Sequence, residues 1–587
     1  MPADVRPQGN TEGIPRCPHC GAAAGGAAAA LDALYREVAR LREQAQALAD
    51  STADAKARQA ELEREVRLLR ETVARLRGGF VMLRGLDISS LCAQIIRHFH
   101  TERGRPLLEY RDIYAGGRLV GSASPDVITI INPATEEVVG AVPAAVGVDV
   151  DRAVRSARRA FDDGQWSTCH PADRADALER LAAALEARTE EAARLVTAEM
   201  GMPIAYSRQH NAAAPCAILR YYAKLARDMD TEETRTAVSF AGRTVVRREP
   251  AGVAAVIASW NYPIMLAFSQ LAPALAAGCT IVLKPAAATS LSAYILAEAF
   301  EAADFPPGVF NLVTGTHQAA GMLARHPGVD TVAFSGPAKQ GRWIASICGA
   351  ELKPASLELG GQSAAIVLDD ADLGKAAASL GGLCFANSGQ TCFAMSRVLV
   401  PEQLYDDALD ALTSQAGSLV IGDPLAESTT MGPLASSRRR ADVECRVRAG
   451  VTSGARVVAG GRRPASPVRG YFYEPTVLAD VTPVMPIAQE EICGPVATVI
   501  RYRDEAEAVA FANDGFGLAA TVWTGDPQRG LDIARQARVG TFGVNVYEPD
   551  IGSPWGGRGA SGRGSAYGPE GMAAYLTTKS VFLPSFP

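Results

Sequence analysis

The 587-residue sequence has no apolar run long enough to cross a bilayer; its apolar stretches, such as Val253 to Ala258, are strand-sized. Its first sixteen residues carry neither a basic n-region nor an apolar h-region, so no secretory leader is expected. Nor is there an excess of basic charge: the formal net charge of −6 gives no footprint for nucleic acid. Eleven cysteines, an odd number without a leader, fit reduced thiols in the cytoplasm rather than a disulfide scaffold. What is present, 48% hydrophobic and 21% charged residues, is ordinary globular composition, over a length that implies several domains.

The chain changes character near residue 110. Residues 1–30 are rich in Gly, Ala and Pro, and read as a disordered tail broken by Cys17-Pro18-His19-Cys20. Cys17 and Cys20 are zinc candidates, yet one pair supplies too few ligands for a closed tetrahedral site. Over residues 31–77 a heptad pattern runs unbroken. Leu34, Leu41, Leu48, Ala55, Leu62, Leu69 and Leu76 alternate with Leu31, Val38, Ala45, Thr52, Gln59, Val66 and Val73. This spacing predicts a helical coiled coil of roughly 70 Å, with Glu37–Arg42 and Glu65–Arg70 attractive across a parallel dimer. A long helix packed on its own globular body is the alternative. Residues 78–109 read as a linker holding one short helix from Asp87.

Beyond Tyr110, strand and helix patterns alternate as in an α/β protein with a parallel sheet. Helices are expected over Asp149 to Asp162 and Pro171 to Met200, and strands at Val253 to Ala258, Thr280 to Leu283 and Val329 to Phe334. Phe334-Ser335-Gly336-Pro337-Ala338-Lys339-Gln340-Gly341 joins one such strand to a helix. Glycines there let a backbone approach a phosphate at a helix N-terminus, although the spacing is not the G-x-G-x-x-G fingerprint.

Cys392 closes Gly389-Gln390-Thr391-Cys392, and Glu358 lies within Leu357-Glu358-Leu359-Gly360-Gly361. Together with Trp260-Asn261-Tyr262-Pro263, Lys284-Pro285-Ala286, Phe334 through Gly341, Glu490-Glu491-Ile492-Cys493-Gly494-Pro495 and Pro554-Trp555-Gly556-Gly557, they stand in the order and spacing of another protein family. Residues 110 to 587 resemble the aldehyde dehydrogenase superfamily. That resemblance implies a Rossmann-type NAD(P)-binding domain over 110–360 with an oligomerisation flap near 229–250. It further implies an α/β catalytic domain over 361–565 and a C-terminal oligomerisation segment over 566–587.

The resemblance also implies chemistry. Cys392 is the expected nucleophile, forming a thiohemiacetal and then a thioester. Asn261 and the Cys392 N–H are the expected oxyanion donors, and Glu358 the base that activates the hydrolytic water. Family members that pass the acyl group to coenzyme A generally lack that base, so a free acid is expected. Cofactor contacts are expected from Trp260, Lys284, Gly336, Pro337, Gly341 and Glu491. Ala287 stands where an acidic residue often selects NAD, which leaves NAD and NADP both open. Pro337, Cys493 and Gln362 also depart from the usual pattern. The expected substrate tunnel is Tyr262, Leu266, Ser269, Thr391, Phe393 and Trp555, apolar and without a fixed cation. It favours medium-length aliphatic or aromatic aldehydes. A homodimer or homotetramer is implied, with further self-association through the coiled coil, and with no nucleic-acid or membrane partner. The alternative is a catalytically weak scaffold whose N-terminal helix mediates assembly.

Overall fold

A computed structural model describes residues 108–584. The Cys17/Cys20 pair, the heptad helix over 31–77 and the short helix from Asp87 lie outside the described residues.

Runs of β-branched and aliphatic residues buried on both faces, Val253–Ile257 and Thr280–Lys284, form the centre of an eight-stranded sheet. Five strands there are parallel: Ala355–Leu359, Thr331–Gly336, Val253–Ile257, Thr280–Lys284 and Phe310–Leu312. The chain builds outward from Val253–Ile257 in both directions, so the strand order reverses beside it. Such a switch point opens a crevice at the C-terminal ends of the strands. Ser259 to Asn261, Lys284, Gly336 and Glu358 all lie at or just beyond those ends.

Between the first two strands, helix Pro263–Ala277 starts with Pro at its first position and stops at Gly278, left-handed at φ 98°. Sequence periodicity treats Pro171 to Met200 as one helix. The structure has two, Pro171–Glu186 and Thr189–Met200, with Arg188 at the break. Leu185 and Val196 both still reach the core, so a pattern of buried positions cannot show the break between them.

A second, seven-stranded sheet is ordered Arg456–Ala459, Thr476–Ala479, Val496–Tyr502, Arg397–Pro401, Ala364–Val367, Ala519–Trp523, Thr541–Val544. Only its first strand is antiparallel to its neighbour. The loops holding Cys392 and Glu491 enter strands Arg397–Pro401 and Val496–Tyr502, so they lie at the N-terminal edge of this sheet. After the last strand of this sheet the chain returns to the first sheet, where Gly562–Arg563 pairs with Leu357 and Glu358 as its edge strand. A smaller sheet joins Glu232–Thr236, Gly242–Pro250 and Leu576–Pro584, with the C-terminal strand at one edge and Phe582 exposed. Among the described residues no helix is long and apolar enough to cross a membrane, and all cysteines are free thiols.

Candidate active site

The loop before Cys392 is built from conformations that L-residues avoid. Asn387, Ser388 and Gly389 have φ of 51°, 57° and 68°, and each non-glycine residue there costs on the order of 1–2 kcal/mol. Buried hydrogen bonds hold them in place. Asn387 Nδ2 donates to the Asn261 carbonyl at 3.1 Å, and Ser388 Oγ to the Gly432 carbonyl at 2.8 Å. Gln390 Nε2 donates to the Asn387 carbonyl at 3.1 Å, and its Oε1 accepts from Ala435 N at 2.9 Å. Gly389 has no substitute, since a Cβ would fall 2.0 Å from the Gly494 carbonyl. The strained turn therefore fastens Cys392 both to the Asn261 loop and to the loop that carries Glu491.

Asn261 is 6% exposed. One N–H of its side-chain amide reaches the Gln390 carbonyl at 2.9 Å; the amide nitrogen carries a second hydrogen. Neither carboxylate oxygen of Glu358 has a well-formed hydrogen bond among the described residues, the Ala566 backbone being the one donor that faces it. Burial pushes its carboxyl up to about 8. Glu491, also pushed up by burial, reaches about 7, with Arg439 and Arg446 pulling the other way. The Cys392 thiol is pushed far above its usual range, first by burial and then by the carboxylates of Glu491 and Glu358. In the resting site the sulfur is thus a neutral thiol beside two carboxyl groups that titrate near neutrality.

Two cavities meet at this sulfur. A cleft of about 680 Å³ holds Trp260, Asn261, Gly336, Pro337, Glu358, Cys392 and Glu491. The first turn of helix Ala338–Ala350 borders it with Lys339 and Arg342. A tunnel of about 220 Å³ reaches Cys392 and Glu358 from the other side, between Tyr262, Leu266, Ser269, Phe393 and Trp555.

Four of the expected site residues line neither cavity. Thr391 is 4% exposed and shares a 2.7 Å hydrogen bond with the Tyr262 hydroxyl, behind the tunnel wall. Lys284 is buried at its strand end, with its ammonium held down at about 8 by burial. Ala287 sits in the short turn Ala287–Thr289 just after it. Gly341 lies beneath Leu359, whose side chain a Cβ would meet at 2.3 Å.

The tunnel also has walls that local motifs do not reveal: Tyr206, His210, Met265, Ile551 and Tyr567. Tyr206 and His210 come from a short helix and the π-helical turn Arg208–Ala213 that follows it. Their ring centroids lie 4.1 Å apart with the planes tilted by 48°, and His210 meets Tyr262 edge-on at 5.6 Å. Burial lowers His210 to about 4, so its imidazole is neutral at physiological pH.

Orphaned polar atoms gather here: Asn261 Oδ1 and Asn387 Oδ1 are buried without a hydrogen-bond partner among the described residues, and the Glu358 carboxyl has nothing closer to a partner than the Ala566 backbone. Buried polar groups are normally paired, and a concentration of exceptions around one thiol marks a place shaped for a polar reactant. The wider cleft suits a dinucleotide. Glycine at 336, φ 157°, and at 360 keeps its floor open, since a Cβ on Gly360 would fall 2.0 Å from Glu491 Oε1.

A sequence model described as the aldehyde dehydrogenase family matches residues 119–581. The geranial dehydrogenase of Castellaniella defragrans is 44% identical, over 81% of this chain and 99% of that enzyme. An aldehyde dehydrogenase of Mycobacterium tuberculosis, solved with NAD+, superposes with a TM-score of 0.79 at 41% identity, over 82% of this chain and 99% of that one. A mutant of aldehyde dehydrogenase C from Pseudomonas syringae, solved with NAD+ and octanal, gives 0.78 at 36% identity, over 81% and 98%. With that coverage and the shared fold, the chain belongs to the aldehyde dehydrogenase family.

Proposed function

We propose that this protein oxidises a medium-length apolar aldehyde to the free carboxylic acid, with NAD or NADP, through a thiohemiacetal and a thioester on Cys392. The observation that carries this reading is the position of Cys392 and Glu358 on both cavities at once. Leu266, Ser335 and Trp555 are the other walls the two cavities share, so a substrate from the tunnel and a nucleotide from the cleft would meet around this thiol and carboxyl.

The cofactor would rest against Trp260, Gly336, Pro337 and Glu491, near the first turn of helix Ala338–Ala350, with buried Lys284 at the strand end behind it. When bound, it supplies the acceptor for a hydride. The chain's own residues do the rest. A carboxylate in the cavity takes the thiol proton of Cys392, and the sulfur then bonds to the aldehyde carbon. The free N–H of the Asn261 amide and the backbone N–H of Cys392 receive the charge that develops on oxygen. After loss of the hydride the carbon is a thioester. Glu358, as carboxylate, takes a proton from water, whose oxygen bonds to the acyl carbon as the carbon–sulfur bond breaks. In sum, aldehyde and water give acid, one hydride and one proton, the two electrons leaving with the hydride.

The tunnel supports the substrate class. Phe393, Trp555, Tyr262, Met265, Leu266 and neutral His210 offer apolar and aromatic surface with no cation for a substrate carboxylate. The relative named a geranial dehydrogenase and the octanal-bound neighbour point to the same class. A panel of aldehydes with NAD and NADP, followed by absorbance of the reduced nicotinamide, tests it. Turnover is expected with aldehydes of about octanal size and without coenzyme A. No turnover with any pair, or an absolute need for coenzyme A, overturns the reading.

Two variants sharpen it. Asn261→Ala lowers kcat by about 10²–10³-fold, the usual loss for one oxyanion donor, while cofactor binding, read by tryptophan fluorescence, persists. Ser269→Phe narrows the tunnel, because Ser269 is buried in its wall with Oγ bonded back to the Leu266 carbonyl at 2.9 Å. The kcat/KM for an octanal-sized substrate should fall about tenfold or more relative to acetaldehyde, an estimate from the cost of overpacking a filled site. Equal loss for both aldehydes would refute the tunnel assignment.

We further infer a cofactor domain over 110–360, a catalytic domain over 361–565 and a homodimer or homotetramer formed through the sheet of 232–250 and the segment 566–587. The exposed edge and Phe582 support this assembly. The heptads of residues 31–77 support a second, coiled-coil association, and the free thiols support a cytoplasmic location.

A further inference from the structure

The two oxyanion donors of the proposed reaction stand on different segments. The Asn261 amide belongs to the loop after strand Val253–Ile257, and the Cys392 N–H to the turn before strand Arg397–Pro401. Their spacing must be fixed, because preorganised donors have to meet one oxygen. The turn is a poor reference by itself. Asn387, Ser388 and Gly389 all have positive φ, and a strained turn relaxes when its restraints are released.

Three buried hydrogen bonds cross between the two segments. The Asn261 amide donates to the Gln390 carbonyl at 2.9 Å, and Asn387 Nδ2 donates to the Asn261 carbonyl at 3.1 Å. The third joins the Tyr262 hydroxyl to Thr391 Oγ1 at 2.7 Å. Its direction follows from the bond beside it. Thr391 Oγ1 gives its hydrogen to the Ala386 carbonyl at 3.2 Å, so it accepts from Tyr262. The Tyr206 hydroxyl faces the same Tyr262 oxygen.

The Thr391 hydroxyl is therefore held on two sides, across the turn by Ala386 and across the site by Tyr262. The Thr391 carbonyl shares one peptide plane with the Cys392 N–H, so anchoring Thr391 fixes the direction of that donor. Tyr262 follows Asn261 directly and carries the restraint to the other donor. Its ring still walls the tunnel, while Thr391 lines neither cavity. One side chain thus meets the substrate with its ring and the nucleophile turn with its hydroxyl.

We propose that Tyr262 and Thr391 are positioning residues of the oxyanion site: their hydrogen bond sets the Asn261 amide against the Cys392 N–H, in place to receive the charge on the aldehyde oxygen. The proposal rests on the dehydrogenase reading above, and gives the hydroxyl at 262 a task that the ring alone cannot perform.

The test is the rate of nicotinamide reduction in the first turnover, with the full-length protein and an octanal-sized aldehyde. Tyr262→Phe keeps the ring and removes only the hydroxyl. Its rate at saturating aldehyde should fall by about ten- to a hundredfold, the loss expected of slightly misplaced groups. The half-saturating aldehyde concentration should stay within about twofold. Thr391→Val breaks the same bond and leaves Tyr206 untouched. It should be similarly slow, and the double variant no slower than either single one. Thr391→Ser keeps the oxygen and should keep the wild-type rate. In an Asn261→Ala background, Tyr262→Phe should cost no more than about twofold, since one of the donors it aligns is already gone. Alkylation of Cys392 by iodoacetamide forms a thioether and expels iodide, with no oxyanion to hold, so its rate and pH profile should be unchanged in Tyr262→Phe.

Losses that simply add to that of Asn261→Ala overturn the proposal, as does alkylation slowed as much as turnover, or a Thr391→Ser form as slow as Thr391→Val. A wild type that oxidises no aldehyde removes the dehydrogenase reading and this proposal together. An active wild type with an equally active Tyr262→Phe form removes this proposal alone.

Discussion

Replacing Cys392 with alanine lowers aldehyde oxidation by on the order of 10⁴-fold or more, because every covalent step passes through its sulfur. The fold should survive the change. The loop is anchored by Asn387, Ser388 and Gln390, and no hydrogen bond of that anchor uses the Cys392 side chain. Melting temperature should therefore stay within a few degrees, and nucleotide binding should remain. Serine is no substitute. Burial and two carboxylates already oppose ionisation of the thiol, and a hydroxyl is far harder to ionise in the same place. Alkylation of the wild-type protein should block turnover with modification at Cys392. Reaction confined to exposed Cys445 with activity lost, or undiminished turnover in Cys392→Ala, would remove the nucleophile from the mechanism.

Much of the site was legible because its chemistry sits in short, locally patterned segments. Strand and loop signals put Asn261 at a strand end, and the motif Leu357-Glu358-Leu359-Gly360-Gly361 marked Glu358. The structure adds the strand Ala355–Leu359, and the parallel sheet brings the two residues together across about a hundred residues of chain. Cys392 escaped the rule that ligands gather at the C-terminal ends of strands, since it approaches its own strand Arg397–Pro401 from the N-terminal side. Only the facing of two sheets makes those edges meet, and no residue pattern encodes that facing. Thr391 shows the limit at single-residue scale: adjacent to Cys392 in sequence, it turns its hydroxyl to Tyr262 and leaves the wall to Phe393.

The tunnel was the least legible part. Tyr206 and His210 lie more than 180 residues before Cys392, in a turn whose hydrogen bonding widens to a π-helix, a form common at functional sites. Four-residue spacing of the two rings was the only local signal. Arg439 was hidden differently. Within Arg438-Arg439-Arg440 the three side chains look equivalent, and a charge run ordinarily reads as a solvated face. Tertiary packing separates them, sending one to Trp260, one to Tyr471 and leaving Arg438 exposed.

Glu358→Gln should halt the reaction after a single turnover. Glutamine keeps the size of the side chain but cannot accept a proton at neutral pH, so the hydride step survives while thioester hydrolysis slows by about 10²–10⁴-fold. The expected signature is a burst of reduced nicotinamide equal to the enzyme concentration, followed by a slow steady rate. Mass spectrometry of the quenched protein should show the acyl group on the peptide that contains Cys392. The pH dependence follows from burial, which raises the Glu358 carboxyl to about 8. The working base is the carboxylate, present above that value and lost as pH falls through it. Wild-type hydrolysis should therefore climb about tenfold per pH unit below 8 and level off above it, and the Gln variant should lack that rise. A burst followed by an unslowed steady rate would give the water activation to another group. Loss of the burst itself would instead place Glu358 earlier, as the base that takes the Cys392 proton.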